Sequence, residues 1–130
     1  MPFKNEERIF PRDYENRIFC EDCLTFMKGI PDESVFLILT DPPYGIHYSN
    51  QFAKNPHAML PGDDGIDYPA FARESYRILR MNSHAYFFTR FDCYPYHFQC
   101  LQEAGFTIKN CLVTINEQIQ NIAQKKDTLC

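Results

Sequence analysis

Four consecutive residues, Asp41-Pro42-Pro43-Tyr44, bring together a carboxylate, two prolines and a phenol ring. That set suits one kind of chemistry. An amine on an aromatic ring is a weak nucleophile, because its lone pair is delocalised into the ring. The carboxylate of Asp41 and the carbonyl of Pro42 can accept its two hydrogens, favour a tetrahedral nitrogen and aim the lone pair at an electrophile held opposite. Each proline lacks a backbone N–H and presses the residue before it into an extended conformation, so the segment is stiff and presents mainly acceptors. Tyr44 adds a flat face. A base must leave a duplex to reach such a pocket, and stacking on an aromatic side chain helps to hold it there. His47 and Tyr48 follow the turn and can either contact an extruded nucleotide or serve ordinary loop roles.

Such a turn needs a rigid mount, and the run Val35-Phe36-Leu37-Ile38-Leu39-Thr40 supplies one. Continuous apolar, branched and aromatic residues read as a parallel strand buried on both faces, and α/β sheets bind ligands in the crevice beyond the carboxyl ends of such strands. The Asp41 carboxylate and the Pro42 carbonyl are therefore expected to face one cavity there. Residues 1–15 are polar, with Pro2 and Pro11, and read as a loose lead-in. Ile18 to Cys20 reads as a short strand, and Asp22 as the cap of a helix reaching Gly29, with Pro31 beyond it. Residues 45–65 form a long loop rich in turn residues, a kind that is usually functional or disordered. Asp67 and Pro69 open a second helix with Ala72, Tyr76 and Leu79 on one face, ended by Asn82-Ser83. A strand over residues 84–89 leads to Asp92 as cap and Pro95 in the first turn of a third helix. His97, Cys100, Leu101 and Ala104 share a stripe there before Gly105 stops it. Phe106 to Thr114 reads as a last strand. Residues 116–130 dissolve into a polar tail. Strand and helix in alternation predict an α/β fold with a parallel sheet and right-handed crossovers, here over residues 16–115.

At 130 residues the chain makes one domain at most. Its net charge of −4 argues against a free-standing nucleic-acid binder, so any basic surface is local or supplied by a partner. Lys125-Lys126 reads as part of a solvated tail. The six cysteines follow no apolar leader and share no tight repeated spacing, which predicts reduced thiols in a cytoplasmic protein. The pair Cys20-x-x-Cys23 has no second pair to complete a zinc site, so no metal is expected, and Cys20 is expected to face the core. Cys93 and Cys100 read as packing residues. No apolar stretch approaches a membrane span.

The segment Phe19 to Gly45 resembles the S-adenosylmethionine-dependent amino-methyltransferases of DNA, whose hallmark is Asp/Asn/Ser-Pro-Pro-Tyr/Phe/Trp. In that family the Asp form goes mostly with N6-adenine and the Ser form with N4-cytosine. Ile18-Phe19-Cys20-Glu21-Asp22-Cys23-Leu24 is similar to the family strand ending in Gly-Asp-Cys/Ala, with Glu21 where the family has Gly. Ile30-Pro31-Asp32-Glu33-Ser34-Val35 is similar to the approach to its catalytic strand. Tyr76-Arg77-Ile78-Leu79-Arg80 and Ala85-Tyr86-Phe87-Phe88-Thr89 are similar to the next helix and strand, so the likeness covers residues 16–113.

The resemblance implies a partial Rossmann-like methyltransferase fold, DNA as substrate and S-adenosylmethionine as methyl donor. Within the block Asp41-Pro42-Pro43-Tyr44 it implies that Asp41 and Pro42 orient the amine and that Tyr44 stacks the base, while Asp22 and Asp41 touch the cofactor. Transfer would be direct, without a covalent enzyme intermediate. One family feature is missing: nothing resembles Phe-x-Gly-x-Gly, since Gly stands only at 29, 45, 62, 65 and 105. In the permuted class whose catalytic block comes first, that motif and two strands follow a target-recognition region. The expectation is the catalytic half of an incomplete or split adenine-N6 enzyme, its sheet completed by a second polypeptide or by self-association. Two alternatives stay open. One is an inactive remnant acting as an interaction module; the other is a methyltransferase for cytosine N4, RNA or protein amides.

Overall fold

The structure is a computed structural model that describes residues 8–44 and 66–113. Within them the chain builds a mixed α/β arrangement, a two-stranded parallel sheet with flanking helices.

Local chemistry starts and stops the helices. Asp22 accepts the Thr25 N–H on Oδ1 at 2.8 Å and so caps α1 (Cys23–Met27). The chain leaves α1 through Gly29, where a Cβ would collide with the Tyr14 hydroxyl. Asp67 accepts the Ala70 N–H at 3.0 Å, and Pro69 sits in the first turn of α2 (Tyr68–Ile78). Spacings of three and four bury Tyr68, Phe71, Ala72, Ser75 and Ile78 along one stripe of α2. Tyr76, expected on that face, lies at its margin and is 42% exposed, with its ring edge-on to Phe106. The third helix, α3 (Tyr94–Ala104), carries Pro95 in its first turn and buries His97, Cys100 and Leu101. Gly105 ends it in the left-handed region at φ 113°, so that Gly105 and Phe106 donate to the carbonyls of Gln102 and Leu101. Asp92, expected as its cap, is replaced by Cys93, which makes no side-chain capping bond.

The strand read over residues 35–40 is β1 (Val35–Thr40), and it pairs in parallel with β2 (Leu79–Phe87). Between the pairs Val35/Leu79 and Leu37/His84, β1 advances two residues and β2 five. The excess is taken up by a bulge in which Asn82 adopts φ 60°. Asn82-Ser83 therefore interrupts a strand, where the sequence reading has it ending a helix. The helix closes earlier because Leu79 turns extended and pairs with Val35, while Ser34 donates to the Ile78 carbonyl at 2.9 Å.

Burial of β1 differs from expectation. Ile38 faces the core, whereas Leu37 and Leu39 are 55% and 67% exposed. On β2, Ala85 and Phe87 pack against the core, while His84 and Tyr86 are exposed. Because side chains alternate across a strand, the described helices cover one face of the sheet and leave the other open. Two further expected strands do not form over their described residues. Residues 18–20 and 106–113 are irregular, since no described strand lies beside them to take their hydrogen bonds, and Ile18 is fully exposed.

The core gathers Met27, Ile30, Ile38, Phe71, Ala72, Ile78 and Leu101 around α2. Tyr14, from the segment read as a loose lead-in, also joins it, packed beside Phe10, Phe19 and Phe26. Arg77 ties the parts together. Its guanidinium donates to the carbonyls of Met27 at 2.8 Å and Ile30 at 2.9 Å, and also pairs with Glu74 at 2.8 Å and Asp32 at 2.6 Å.

Candidate active site

The Asp41 turn leaves a strand end whose backbone is fixed. Thr40 pairs with Phe87, and Phe88 donates its N–H to the Thr40 carbonyl at 2.9 Å. The next four residues alternate in exposure. Asp41 and Pro43 are exposed, Pro42 is buried and Tyr44 is half-buried. Tyr44 folds back so that its hydroxyl donates to Asp41 Oδ1. Burial, helped by the hydrogen bond to Asp41 and by its charge, pushes the Tyr44 phenol up to about 12, so at neutral pH it keeps its proton and remains a donor. Asp41 Oδ2 makes no hydrogen bond among the described residues.

Beside the turn lies a cavity of about 240 Å³, a volume suited to a single small ring system. Pro43 and Tyr44 form one wall. Tyr68, the first residue of α2, forms another with Ile66. The opening turn of α3 closes it with Cys93, Tyr96 and His97, and Asp92 stands at the rim in a 2.8 Å pair with Arg90. Asp41 and Pro42 are not among the walls of this cavity. Tyr44 is the link between them. Its ring lines the cavity, 6.2 Å from His97, and its hydroxyl holds Asp41.

The back of the cavity is built from stacked rings. His97 stacks on Tyr68 with ring centres 3.8 Å apart and planes within 3°, and its Nδ1 lies 2.7 Å from the Thr89 hydroxyl. Burial lowers the His97 pKa, which favours the neutral ring. Burial also raises the Tyr68 hydroxyl well above the ordinary tyrosine value, and that hydroxyl has no hydrogen-bond partner among the described residues.

The other residues singled out in the sequence lie elsewhere. Asp22 is exposed and its carboxylate caps α1, an attachment that holds it below the usual carboxylate range. Cys20 is exposed, contrary to the expectation that it faces the core, because the segment around it forms no strand. Cys100 is buried as a packing residue, while Cys93 lines the cavity. His47 and Tyr48 lie outside the described residues. Sequence reasoning missed Tyr68, Tyr96 and His97 as cavity residues. Their signal was position, since each stands in the first turn of a helix next to the carboxyl edge of a parallel sheet.

Among the described residues, no group of three or more His, Cys, Asp or Glu side chains is arranged to hold a metal ion, and no helix is long and apolar enough to cross a membrane. No protein-family model, curated protein or solved structure matches this chain.

Proposed function

We propose that this chain is the catalytic part of an S-adenosylmethionine-dependent DNA methyltransferase acting on adenine N6. The observation that supports the reading is the Asp41-Pro42-Pro43-Tyr44 turn at the carboxyl end of β1, with Tyr44 on the wall of an aromatic cavity. In this reading the flipped base stacks against Tyr44 at the cavity wall, with its amine directed out of the cavity toward Asp41. The exposed Asp41 carboxylate and the Pro42 carbonyl accept the amine hydrogens and hold the nitrogen lone pair toward the methyl group. His47 and Tyr48 contact the nucleotide.

The described residues do not by themselves fit a whole S-adenosylmethionine. Asp22 can offer its carboxylate to an adenine amine, but it already caps α1. Neither described glycine lies in a cradle. A Cβ on Gly29 would meet Tyr14, and one on Gly105 would meet the Tyr76 ring at 2.9 Å. The rest of the donor's seat is assigned to a second polypeptide or a second copy of this chain, docked on the open face and edge of β1.

The reading is tested by expressing the gene with its genomic neighbours in a host that lacks adenine methylation, then digesting the DNA and measuring modified nucleosides. N6-methyladenine with the wild-type gene and none with Asp41→Ala is expected. Unmodified adenine with the wild-type gene, or methylation at cytosine N4 instead, would overturn the assignment.

A further inference from the structure

Tyr44 makes two contacts at once. Its ring belongs to the cavity wall, and its hydroxyl donates to Oδ1 of the carboxylate three residues earlier. Stacking a base needs only the ring, so phenylalanine would serve as well. The hydroxyl has a separate consequence. A carboxylate on an exposed turn rotates freely about its terminal bond, which has broad torsional preferences. A donor on one oxygen removes that freedom and leaves the other oxygen facing a single direction.

We infer that the Tyr44 hydroxyl is a positioning group, holding Asp41 by Oδ1 so that Oδ2 is aimed at the amine it must orient. The inference rests on the methyltransferase reading and adds to it. One further observation supports it: Pro42 is buried, so the backbone between the two side chains is anchored on the protein. Tyr44 thereby couples the cavity to the carboxylate, because a ring entering the cavity presses on the residue that holds Asp41. The step balances: the amine nitrogen, both hydrogens still held by Asp41 and Pro42, would bond the methyl carbon as that carbon's bond to the donor sulfur breaks and its electron pair returns to sulfur, and the methylated nitrogen would then give up one hydrogen as a proton to water at the exposed Asp41 carboxylate.

Two measurements on the full chain test the inference. In the first, tyrosine labelled at the ζ-carbon is followed by NMR at neutral pH, with the Tyr44 resonance assigned through Tyr44→Phe. Asp41→Ala should shift that resonance, and Asp41→Asn, which keeps an acceptor oxygen, should shift it less. No shift in a variant that retains the wild-type circular dichroism spectrum overturns the inference. In the second, Tyr44→Phe should bind an oligonucleotide carrying 2-aminopurine within about twofold of wild type, because the ring remains. Methylation in the neighbour-coexpression assay should fall about tenfold or more, the usual size of a lost hydrogen bond to a charged group. Tyr44→Ala should lose both. Wild-type methylation by Tyr44→Phe overturns the inference, and equal losses of binding and transfer do so too. If the resonance shifts but the wild-type gene methylates nothing, the contact stands and the reading it rests on fails.

Discussion

His97 is a neutral ring held between the flat of Tyr68 and the hydroxyl of Thr89, and its protonation is disfavoured by burial. With its folded-state pKa below the ~6.5 of an unfolded chain, the unfolded state takes up the proton first as the pH drops. This contribution to stability is complete above about pH 6.5 and is lost as the pH falls through the lower folded value. The lowered carboxyls of Asp22 and Asp13, the latter at about 2, act in the same sense over a more acidic range. Replacing His97 with Phe keeps a ring against Tyr68 and removes the proton. Urea midpoints at pH 7.5 and 5.5 should differ less in His97→Phe than in wild type, and equal differences would contradict this account. At this scale much was legible in the sequence. Asp22, Asp67 and Gly105 act through neighbours within a few residues, which a linear reading can see. That His97 is buried was also legible from its stripe. Its place in a cavity wall was not, because that depends on where α3 lies against the end of β1.

Among the elements, α2 holds the others in place. Arg77 reaches from its last turn to the carbonyl of Met27, the last residue of α1, and to that of Ile30 in the connection to β1, so one side chain ties both to α2. The Arg77 side chain is about a quarter exposed, which moderates its charge pairs with Glu74 and Asp32, but the carbonyls would lose their only planar, forked donor. Arg77→Ala should destabilise the protein by about 2 kcal/mol or more, and Arg77→Lys should recover only part of that, because an ammonium cannot span the same acceptors. Denaturant midpoints of the two variants decide it, and full recovery by Lys would refute the geometric argument. β1 was legible from its apolar run, the start of α2 from its acidic cap and proline, and the start of α3 from its proline alone. The strands expected over 18–20 and 106–114 were not realised over their described residues, since a strand exists only where another lies beside it and residue pattern alone does not supply the partner.

At the largest scale, the described residues form an α/β sheet that their helices cover on one side. Leu37 and Leu39 of β1, with Tyr86 of β2 and the adjacent Phe88, present apolar surface where a parallel sheet ordinarily meets a second layer. If that face docks a partner or a second copy, the purified chain should associate in a concentration-dependent way. Leu37→Lys combined with Leu39→Lys should then abolish association without lowering helix content. Sedimentation velocity across a range of concentrations measures this. A wild-type chain that stays monomeric at every concentration would leave the self-association half of the proposal without support.

The parallel pairing of β1 and β2, together with the long reach of Arg77, has a consequence for the chain as it is made. Val35 waits for Leu79, and the Ile30 carbonyl waits for a donor 47 residues further on. At synthesis rates of about 5–20 residues per second, that interval lasts roughly 2–10 seconds. Throughout it, Val35-Phe36-Leu37-Ile38-Leu39 stands outside the ribosome with neither its companion strand nor its clamp. The residues that later carry the Asp41 turn are, during birth, an apolar segment open to chaperones and to wrong partners.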